Sequence, residues 1–163
     1  LHDTVLPPNC LIFKSSKMKG DVTVRLKLAT EHGLLTLLFL AHTSKSMTRR
    51  GDYVKTKDIS FQCDISYEHL TKTISILRKA GLLQTHAGRE GGVELLALSQ
   101  TIRVGEVVAL FEHPLVHPTT RYQLHALDQL CDAALISFFN TLNHTTIQQL
   151  ADDLPPHFFF RTS

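Results

Sequence analysis

The stretch YEHLTKTISILRKAGLLQTHAGREGGVELL, residues 67–96, begins with helical periodicity and ends in a glycine-punctuated reversal. Leu70, Ile74 and Leu77 recur every three or four residues, so one face of the first half is apolar. Ser66 stands directly before this run, where a serine side chain can accept a hydrogen bond from the first helical turn. The first half is therefore predicted to be an amphipathic helix that Ser66 caps.

The second half of the stretch predicts a β-hairpin. Gly81 follows Ala80 at the end of the periodic run and suits a helix stop. The segments LLQTHA and VELLAL form the two arms, and the Gly91-Gly92 pair before the second arm permits a tight reversal. Arg89 then lies at the tip of the hairpin.

A shorter helix is predicted just upstream, over KDISFQCD at residues 57–64. Two short helices joined by about three residues form a helix-turn-helix. A hairpin directly after the second helix makes the arrangement a winged helix. The second helix of such a unit fits the DNA major groove, while the wing reaches a neighbouring phosphate or the minor groove. The order of elements therefore indicates DNA binding.

Nine residues of this unit are candidate DNA contacts. The first turn of the second helix would meet base edges, and the basic residues further along would bind phosphates. The glycine-flanked arginine of the wing suits close approach to a backbone. The alternative for the helix is a solvated face without a partner, because charge runs are commonly that. The candidates are Ser66, Tyr67, Glu68, Thr71, Lys72, Arg78, Lys79, Gly88 and Arg89.

The glycine-rich segment GREGG does not match a nucleotide-binding fingerprint. No helix bearing Lys-Ser or Lys-Thr follows it, and it does not open a βαβ unit. The sequence also has no GxSxG and no HExxH motif. We therefore expect that the protein is not an enzyme.

The composition is that of a folded, cytoplasmic protein. Of its 163 residues, 43% are hydrophobic and 20% are charged, which suffices for a core. The formal charge of +2 neither demands nor excludes a nucleic-acid partner, because clustering of cations matters more than their sum. Three cysteines without CxxC spacing argue against a disulfide scaffold. The longest apolar run, GLLTLLFLA, is too short to span a bilayer, so we expect no membrane partner.

Further helices are predicted on both sides of the winged helix. The first runs from Thr30, as its cap, to about residue 46, and another covers TIRVGEVVALFE. A long helix over 124–142 has an apolar stripe, which is either a dimerisation face or packs only on its own domain. A short closing helix covers TTIQQLADDL. The stripe consists of Leu124, Leu127, Cys131, Phe138 and Leu142.

These elements divide the chain into five expected parts. An irregular N-terminal arm, or an extension that is not native, precedes the winged helix-turn-helix domain. A sensor-type loop then leads into the dimerisation and closing helices, and a tail ends the chain. In this order the parts are residues 1–23, 24–112, 113–123, 124–153 and 154–163.

Several runs of the sequence resemble the Rrf-two family of bacterial transcription regulators. They are VRLKLATEHGLLTLLFLA, the run from YVKTKDISFQCD to the wing, and TIRVGEVV with TTIQQL. The resemblance covers roughly residues 24–153, and LRKAGLL leading into the glycine-rich wing is among its most specific parts. The family includes the iron–sulfur cluster regulator, the nitric-oxide-sensitive repressor and the cysteine-metabolism repressor.

The resemblance implies a homodimer that binds double-stranded DNA. The helix over 124–142 would be the dimerisation helix, and two wings would bind a pseudo-palindromic operator, with repression as the expected outcome. Family members often have an arginine just before the first wing glycine; that position is Ala87 here, and Arg89 is expected to take over its role. The alternative is a winged-helix protein-interaction module that binds no operator.

The resemblance also concerns a cofactor. Cluster-binding members carry three closely spaced cysteines in the loop before the dimerisation helix, whereas residues 113–123 contain none. His113 and His117 lie in this loop, His125 aligns with the third cysteine, and Glu31 aligns with a carboxylate ligand of some members. We expect no cofactor. The alternatives are a metal ion held by these four residues and an atypical iron–sulfur cluster.

Overall fold

A computed structural model of the chain contains the predicted winged helix. The structure describes residues 13–14, 23–44, 53–89, 91–96, 98–112, 125–155 and 158–159. Six helices and two antiparallel strand pairs lie in these ranges. In chain order they are β1 (Phe13–Lys14), β2 (Thr23–Val24), α1 (Leu28–Ser44), α2 (Thr56–Cys63), α3 (Tyr67–Lys79), β3 (Leu83–His86), β4 (Gly92–Leu95), α4 (Val104–Phe111), α5 (His125–Leu142) and α6 (Ile147–Asp152).

The mainly helical fold with a small β-hairpin wing is confirmed. The predicted helices are present with ends that differ by a few residues, which is the usual uncertainty of a helix boundary. None of the helices in the described ranges is long and apolar enough to cross a membrane.

Helix α1 lies at the centre of the fold. Its residues 30–41 are all buried, because α2, α3, α4, α6 and β4 all contact it. A helix that is covered on every side needs apolar residues on every face instead of a single stripe. The run GLLTLLFLA meets this requirement, and Leu34, Leu37 and Leu38 of this run belong to the main hydrophobic core.

The predicted start of α1 is wrong. The helix begins at Leu28, so Thr30 lies within its first turn and does not cap it. The hydroxyl of Thr30 instead donates to Oε1 of Glu112, just beyond the end of α4, at 2.6 Å. A threonine near a helix start suits either role, and only the distant partner decides between them.

Helix α6 is fastened to the segment that precedes α4. The backbone N–H of Ile147 donates to the carbonyl of Ile102 at 2.9 Å, and that of Val104 donates to the carbonyl of Thr145 at 3.0 Å. Helix α6 also packs against α1, so the closing helix and the winged helix share one hydrophobic core. The expected division of the chain into five parts stays a prediction.

Both ends of the chain contain structure that the sequence did not indicate. Strands β1 and β2 pair antiparallel, with Phe13 opposite Val24, where an irregular arm over 1–23 was expected. Phe159, in the expected tail, is buried, and its ring centroid lies 5.1 Å from that of Phe39. The C-terminal segment therefore contributes an aromatic ring to the core.

A polar network joins the end of α4 to the start of α1. Oε1 of Glu112 accepts the Thr30 hydroxyl and, at 2.7 Å, the backbone N–H of Lys27, while Oε2 lies 3.7 Å from Nζ of Lys27. Burial by itself raises the pKa of Glu112. The hydrogen bonds from Thr30 and Lys27, together with the Lys27 charge, outweigh burial and hold this pKa below its usual value. The network is therefore strongest when Glu112 is ionised.

We expect Glu112→Gln to lower the free energy of unfolding by about 1 kcal/mol at neutral pH, because the amide loses charge-assisted hydrogen bonds. A folded-state pKa below the unfolded one means that the contribution of Glu112 is complete above the unfolded pKa, about 4.3, and is lost as the pH falls through the folded pKa. Urea unfolding from neutral pH down to about pH 3 should show the two proteins converging.

Another shifted carboxyl group, Glu31, does not affect this comparison. Its pKa is raised by burial, so it changes stability with pH in the opposite sense, but it is present in both proteins and cancels in their difference. A difference that stays constant across the acidic range would contradict the role of the Glu112 charge.

Candidate nucleic-acid interface

The turn between α2 and α3 is built from local contacts. Asp64 ends α2 in the left-handed region, with φ at 55°, which aspartate tolerates better than most residues. The backbone N–H of Ile65 donates to the carbonyl of Ser60 at 3.1 Å, and the Ser60 hydroxyl donates to the carbonyl of Ile65 at 2.6 Å. These contacts redirect the chain so that α3 begins at Tyr67.

Helix α3 has one buried face and one exposed face. Oγ of Ser66 accepts the backbone N–H of His69 at 3.4 Å, so the predicted cap is confirmed. Leu70, Ile74 and Leu77 point into the core, as their spacing predicted. The candidate contact residues lie on the opposite side, and all of them are exposed: Tyr67, Glu68, Thr71, Lys72, Arg78 and Lys79.

An ion pair lies on this exposed face. Nζ of Lys72 donates to Oε1 of Glu68 at 2.7 Å, one helical turn away. This hydrogen bond and the Lys72 charge lower the pKa of Glu68, with a smaller effect from His69. Because exposed pairs of this kind contribute little stability, Lys72 can leave Glu68 for a phosphate at small cost.

His32 of α1 lies behind the first turn of α3. Its ring centroid is 5.7 Å from that of His69, and Nδ1 of His69 lies 2.8 Å from Oγ of Ser66. Burial, and secondarily the neighbouring His69, lower the pKa of His32, which favours its neutral form. The sequence does not predict this contact, since a single histidine in a leucine-rich helix gives no signal of its partner.

The wing is the β3–β4 hairpin, paired from Leu83–Leu95 to His86–Gly92. Gly88 has φ at 103°, and the backbone N–H of Gly91 donates to its carbonyl at 3.1 Å. A side chain at Gly91 would collide with the backbone of residues 86–87, so the tight turn requires glycine there. Gly88 and Arg89 are exposed at the tip, as the sequence predicted.

A third strand segment, absent from the predicted elements, borders the wing. Val54 and Val93 exchange two backbone hydrogen bonds, of 3.0 and 2.8 Å. Val54 was not assigned to any predicted element, because a single bridging residue has no periodicity. The bridge ties the base of the wing to the chain that enters α2.

Helix α5, all of which the structure describes, has no fully buried residue. Its C-terminal half packs on α4 and the core through Phe138, Phe139 and Leu142. Its N-terminal half leaves Leu127 51% exposed and Leu130 67% exposed. Beside the packed half lies an apolar cavity of about 480 Å³ between α1, α4, α5 and α6. Leu124, the first residue of the predicted stripe, falls outside the described residues, and Cys131 is half-buried.

Two of the four candidate metal ligands lie in the described ranges. Glu31 is buried in α1, whereas His125 is exposed at the start of α5. His113 and His117 fall outside the described residues. Within the part of the chain that the structure describes, no three or more His, Cys, Asp or Glu side chains are grouped to hold a metal ion. The structure therefore does not join Glu31 and His125 in such a group.

Cys63 is a core residue of the helix-turn-helix. It is buried, and its Sγ lies 3.7 Å from the carbonyl oxygen of Leu35. Burial raises the pKa of the Cys63 thiol to about 12. The Cys63 thiol is therefore protonated at neutral pH and packs as a small core residue.

Helices α2 and α3 and the wing define a winged helix-turn-helix, an architecture that binds DNA. The model of the Rrf2 (Rrf-two) family, described as an iron-dependent transcriptional regulator, matches residues 26–153. The chain therefore belongs to the Rrf2 family of DNA-binding transcription regulators, as its sequence predicted. This membership favours DNA binding over a winged helix that docks only another protein.

Two relatives are both HTH-type transcriptional regulators named NsrR. The protein of Bacillus licheniformis is 30% identical over an alignment of 136 positions, which covers 78% of this chain and 92% of the relative. The protein of Shouchella clausii is 29% identical over an alignment of 161 positions, which covers 86% of this chain and 99% of the relative.

Solved structures share the fold. The IscR structure from T. potens matches with a TM-score of 0.64 and 21% identity, covering 80% of this chain and 88% of its own. CymR, the global cysteine regulator of B. subtilis, matches with a TM-score of 0.64 and 22% identity, covering 81% and 99%. At these identities the likeness establishes the winged-helix fold alone.

We expect Lys72→Ala to weaken DNA binding similarly across sequences and to reduce the slope of log affinity against log salt by about one, because one phosphate contact is lost. Glu68→Gln is the matched variant. It removes the ion pair but keeps the charge of Lys72, so the salt slope should equal that of the wild-type protein. The measurement is a salt titration of binding to a fixed duplex. Unchanged affinity and slope in Lys72→Ala would remove Lys72 from the interface.

Proposed function

We propose that the protein is a homodimeric repressor that binds a pseudo-palindromic operator, with α3 of each copy in the major groove and each wing on the adjacent DNA. The observation that carries this proposal is the division of α3 into a core face and an exposed face with Lys72, Arg78 and Lys79, next to the wing. A cytoplasmic, non-catalytic role goes with this function.

Each part of the exposed surface has a role in this proposal. The first turn of α3, with Tyr67, Glu68 and Thr71, meets base edges, because the N-terminal end of a recognition helix enters the groove. Lys72, Arg78 and Lys79 neutralise phosphates and fix the register of the helix on the duplex. Ser66 holds the first turn in place by capping it.

The wing contributes a second contact in this proposal. Gly88 brings the backbone of the tip close to the duplex, and Arg89 extends from it. A narrow minor groove has an enhanced negative potential that attracts arginine. Arg89 is therefore the residue that extends recognition beyond the base pairs that α3 reads.

The apolar face of α5 is the proposed dimer interface. Residues of a helix are about 100° apart around its axis, so Leu127, Cys131 and Phe138 share one side. In a two-fold pair the same patch contacts itself, so the exposed half of each α5 would cover the packed half and the apolar cavity of the other copy. An apolar surface of this extent is uncommon on a monomer.

We expect Leu127→Asp to give monomers and to lose tight operator binding, because it places a charge in the interface. Ile136→Asp is the matched control: Ile136 is 61% exposed but lies on the opposite side of α5. Light scattering at micromolar concentration measures the assembly. Genomic fragments selected by the purified wild-type protein should share an inverted repeat. A monomeric wild-type protein, or fragments with a single half-site, would refute the dimer.

The usual three-cysteine cluster has no place in this proposal, although the family model is described as iron-dependent. The loop over 113–123 contains no cysteine. Iron–sulfur clusters are held chiefly by thiolates. Among the described residues, neither the buried Cys63 nor the half-buried Cys131 lies in a group of ligands. The described residues alone therefore do not fit an iron–sulfur centre.

We expect protein purified without oxygen and without a histidine tag to be colourless and still to bind its operator. Absorbance, metal and sulfide analysis of the same sample make the measurement. About two irons and two sulfides per subunit would overturn this expectation in favour of an atypical cluster. The wild-type protein could instead contain zinc or iron without sulfide. If a His113→Ala and His117→Ala double variant then lost this metal, the histidines would be identified as its ligands.

A further inference from the structure

Three side chains outside the candidate DNA contacts form a cluster on one face of the wing sheet. The ring of Tyr53 stacks on that of His86, with centroids 3.8 Å apart and planes inclined by 15°. Nε2 of His86 donates to Oε1 of Glu94 at 2.6 Å. All three residues are half-buried. Stacking and a charge-assisted hydrogen bond together are stronger than the contacts of an ordinary exposed hairpin.

The backbone explains how Tyr53 and His86 meet although β4 lies between them. Val54 pairs with Val93, so the chain around Val54 borders β4 on the side away from β3. Gly92 stands opposite His86 in β4, and a side chain there would collide with the backbone of Val54 and crowd Cβ of Tyr53. Because Gly92 has none, the two rings meet across the middle strand.

The cluster connects the two ends of the DNA-binding unit. Tyr53 precedes α2, whereas His86 and Glu94 belong to the hairpin that follows α3. The hairpin leaves α3 through Gly81, whose φ of 74° marks an abrupt change of direction. The Tyr53 contact therefore joins the wing to the chain before α2 through side chains, in addition to the backbone bridge between Val54 and Val93.

We propose that Tyr53, His86 and Glu94 are positioning residues that set the orientation of the wing relative to α3, so that Arg89 and the recognition helix reach the DNA together. The proposal rests on the proposed wing contact. A wing that is held in its bound orientation loses less conformational entropy on binding. The three residues act through Arg89 and do not themselves touch DNA.

The orientation is tested on the free protein by residual dipolar couplings of the β3, β4 and α3 amides. Tyr53→Ala removes the stack and should change the couplings of the hairpin relative to α3. Tyr53→Phe keeps the ring and should restore the wild-type couplings. Thr85→Ala, at an exposed β3 residue on the other face of the sheet, is the control that should leave them unchanged.

Wild-type couplings in Tyr53→Ala would overturn the positioning role. If that variant does not fold, Glu94→Ala decides the question, because it removes only the hydrogen bond to His86. If the dipolar couplings of the hairpin in Glu94→Ala differ from those of the wild-type protein, the proposal is supported. If they equal the wild-type values, it is overturned.

Operator binding tests the consequence for DNA. Arg89→Ala should weaken binding about tenfold in the wild-type background, as expected for one lost groove contact. In the Tyr53→Ala background the same change should cost little, because Arg89 is already out of position. An equal loss in both backgrounds would overturn the coupling, since a general loss of stability leaves the Arg89 contact intact. If Arg89→Ala has no effect in either background, the wing contact itself fails, and the dipolar couplings still decide the orientation.

Discussion

The enclosure of α1 on every side is the constraint on which the other elements depend. Residues 30–41 of this helix are buried, and α2, α3, α4 and α6 all pack on it. The approach is close enough that a side chain at Gly33 would collide with the ring of Phe111. Because one helix contacts α3 as well as α4 and α6, the helix-turn-helix and the helices on either side of α5 share a single hydrophobic core.

The same enclosure limits which polar groups α1 can carry. Glu31 and His32 are adjacent and buried, and burial shifts the pKa of Glu31 upward and that of His32 downward. Both shifts favour the neutral form, since burial penalises the charged form of a side chain. The hydroxyl of Thr36 donates a hydrogen bond to the carbonyl of His32, at 2.7 Å, within the same helix. Burial in the core therefore opposes ionisation of both Glu31 and His32.

Elements with local signals were predictable from the sequence, and contacts between distant segments were not. Ser66 and Gly81 mark the ends of α3 because capping and positive φ depend on neighbouring residues. The exposure of the six candidates on α3 follows from helical periodicity alone. Thr30 was misassigned because its partner, Glu112, lies 82 residues away. The Val54 bridge was not foreseen for the same reason, since one paired residue leaves no pattern.

The same distinction between local signals and contacts that need the structure applies to the candidate site. Which side chains of α3 are exposed could be predicted, but the pairing of Lys72 with Glu68 and the contact of His69 with His32 required the structure. The proposed dimer face was found from its stripe, yet the stripe does not reveal that its C-terminal half packs on the core while Leu127 is exposed. Periodicity identifies an apolar face and gives no information about what covers it.

Helix α3 is held more extensively than α5. This difference determines which part of the proposed regulator can shift and so change its binding to DNA. The core holds α3 through Leu70, Ile74 and Leu77, and the bridge at Val54 holds the base of the wing. Within the described residues, the C-terminal half of helix α5 packs on α4 and the core. Two recognition helices must lie about one helical turn of DNA apart, roughly 34 Å, to read a palindrome. In the proposed dimer that spacing depends on how two α5 helices meet, so a small shift of α5 takes both recognition helices out of register without any change within the winged helix.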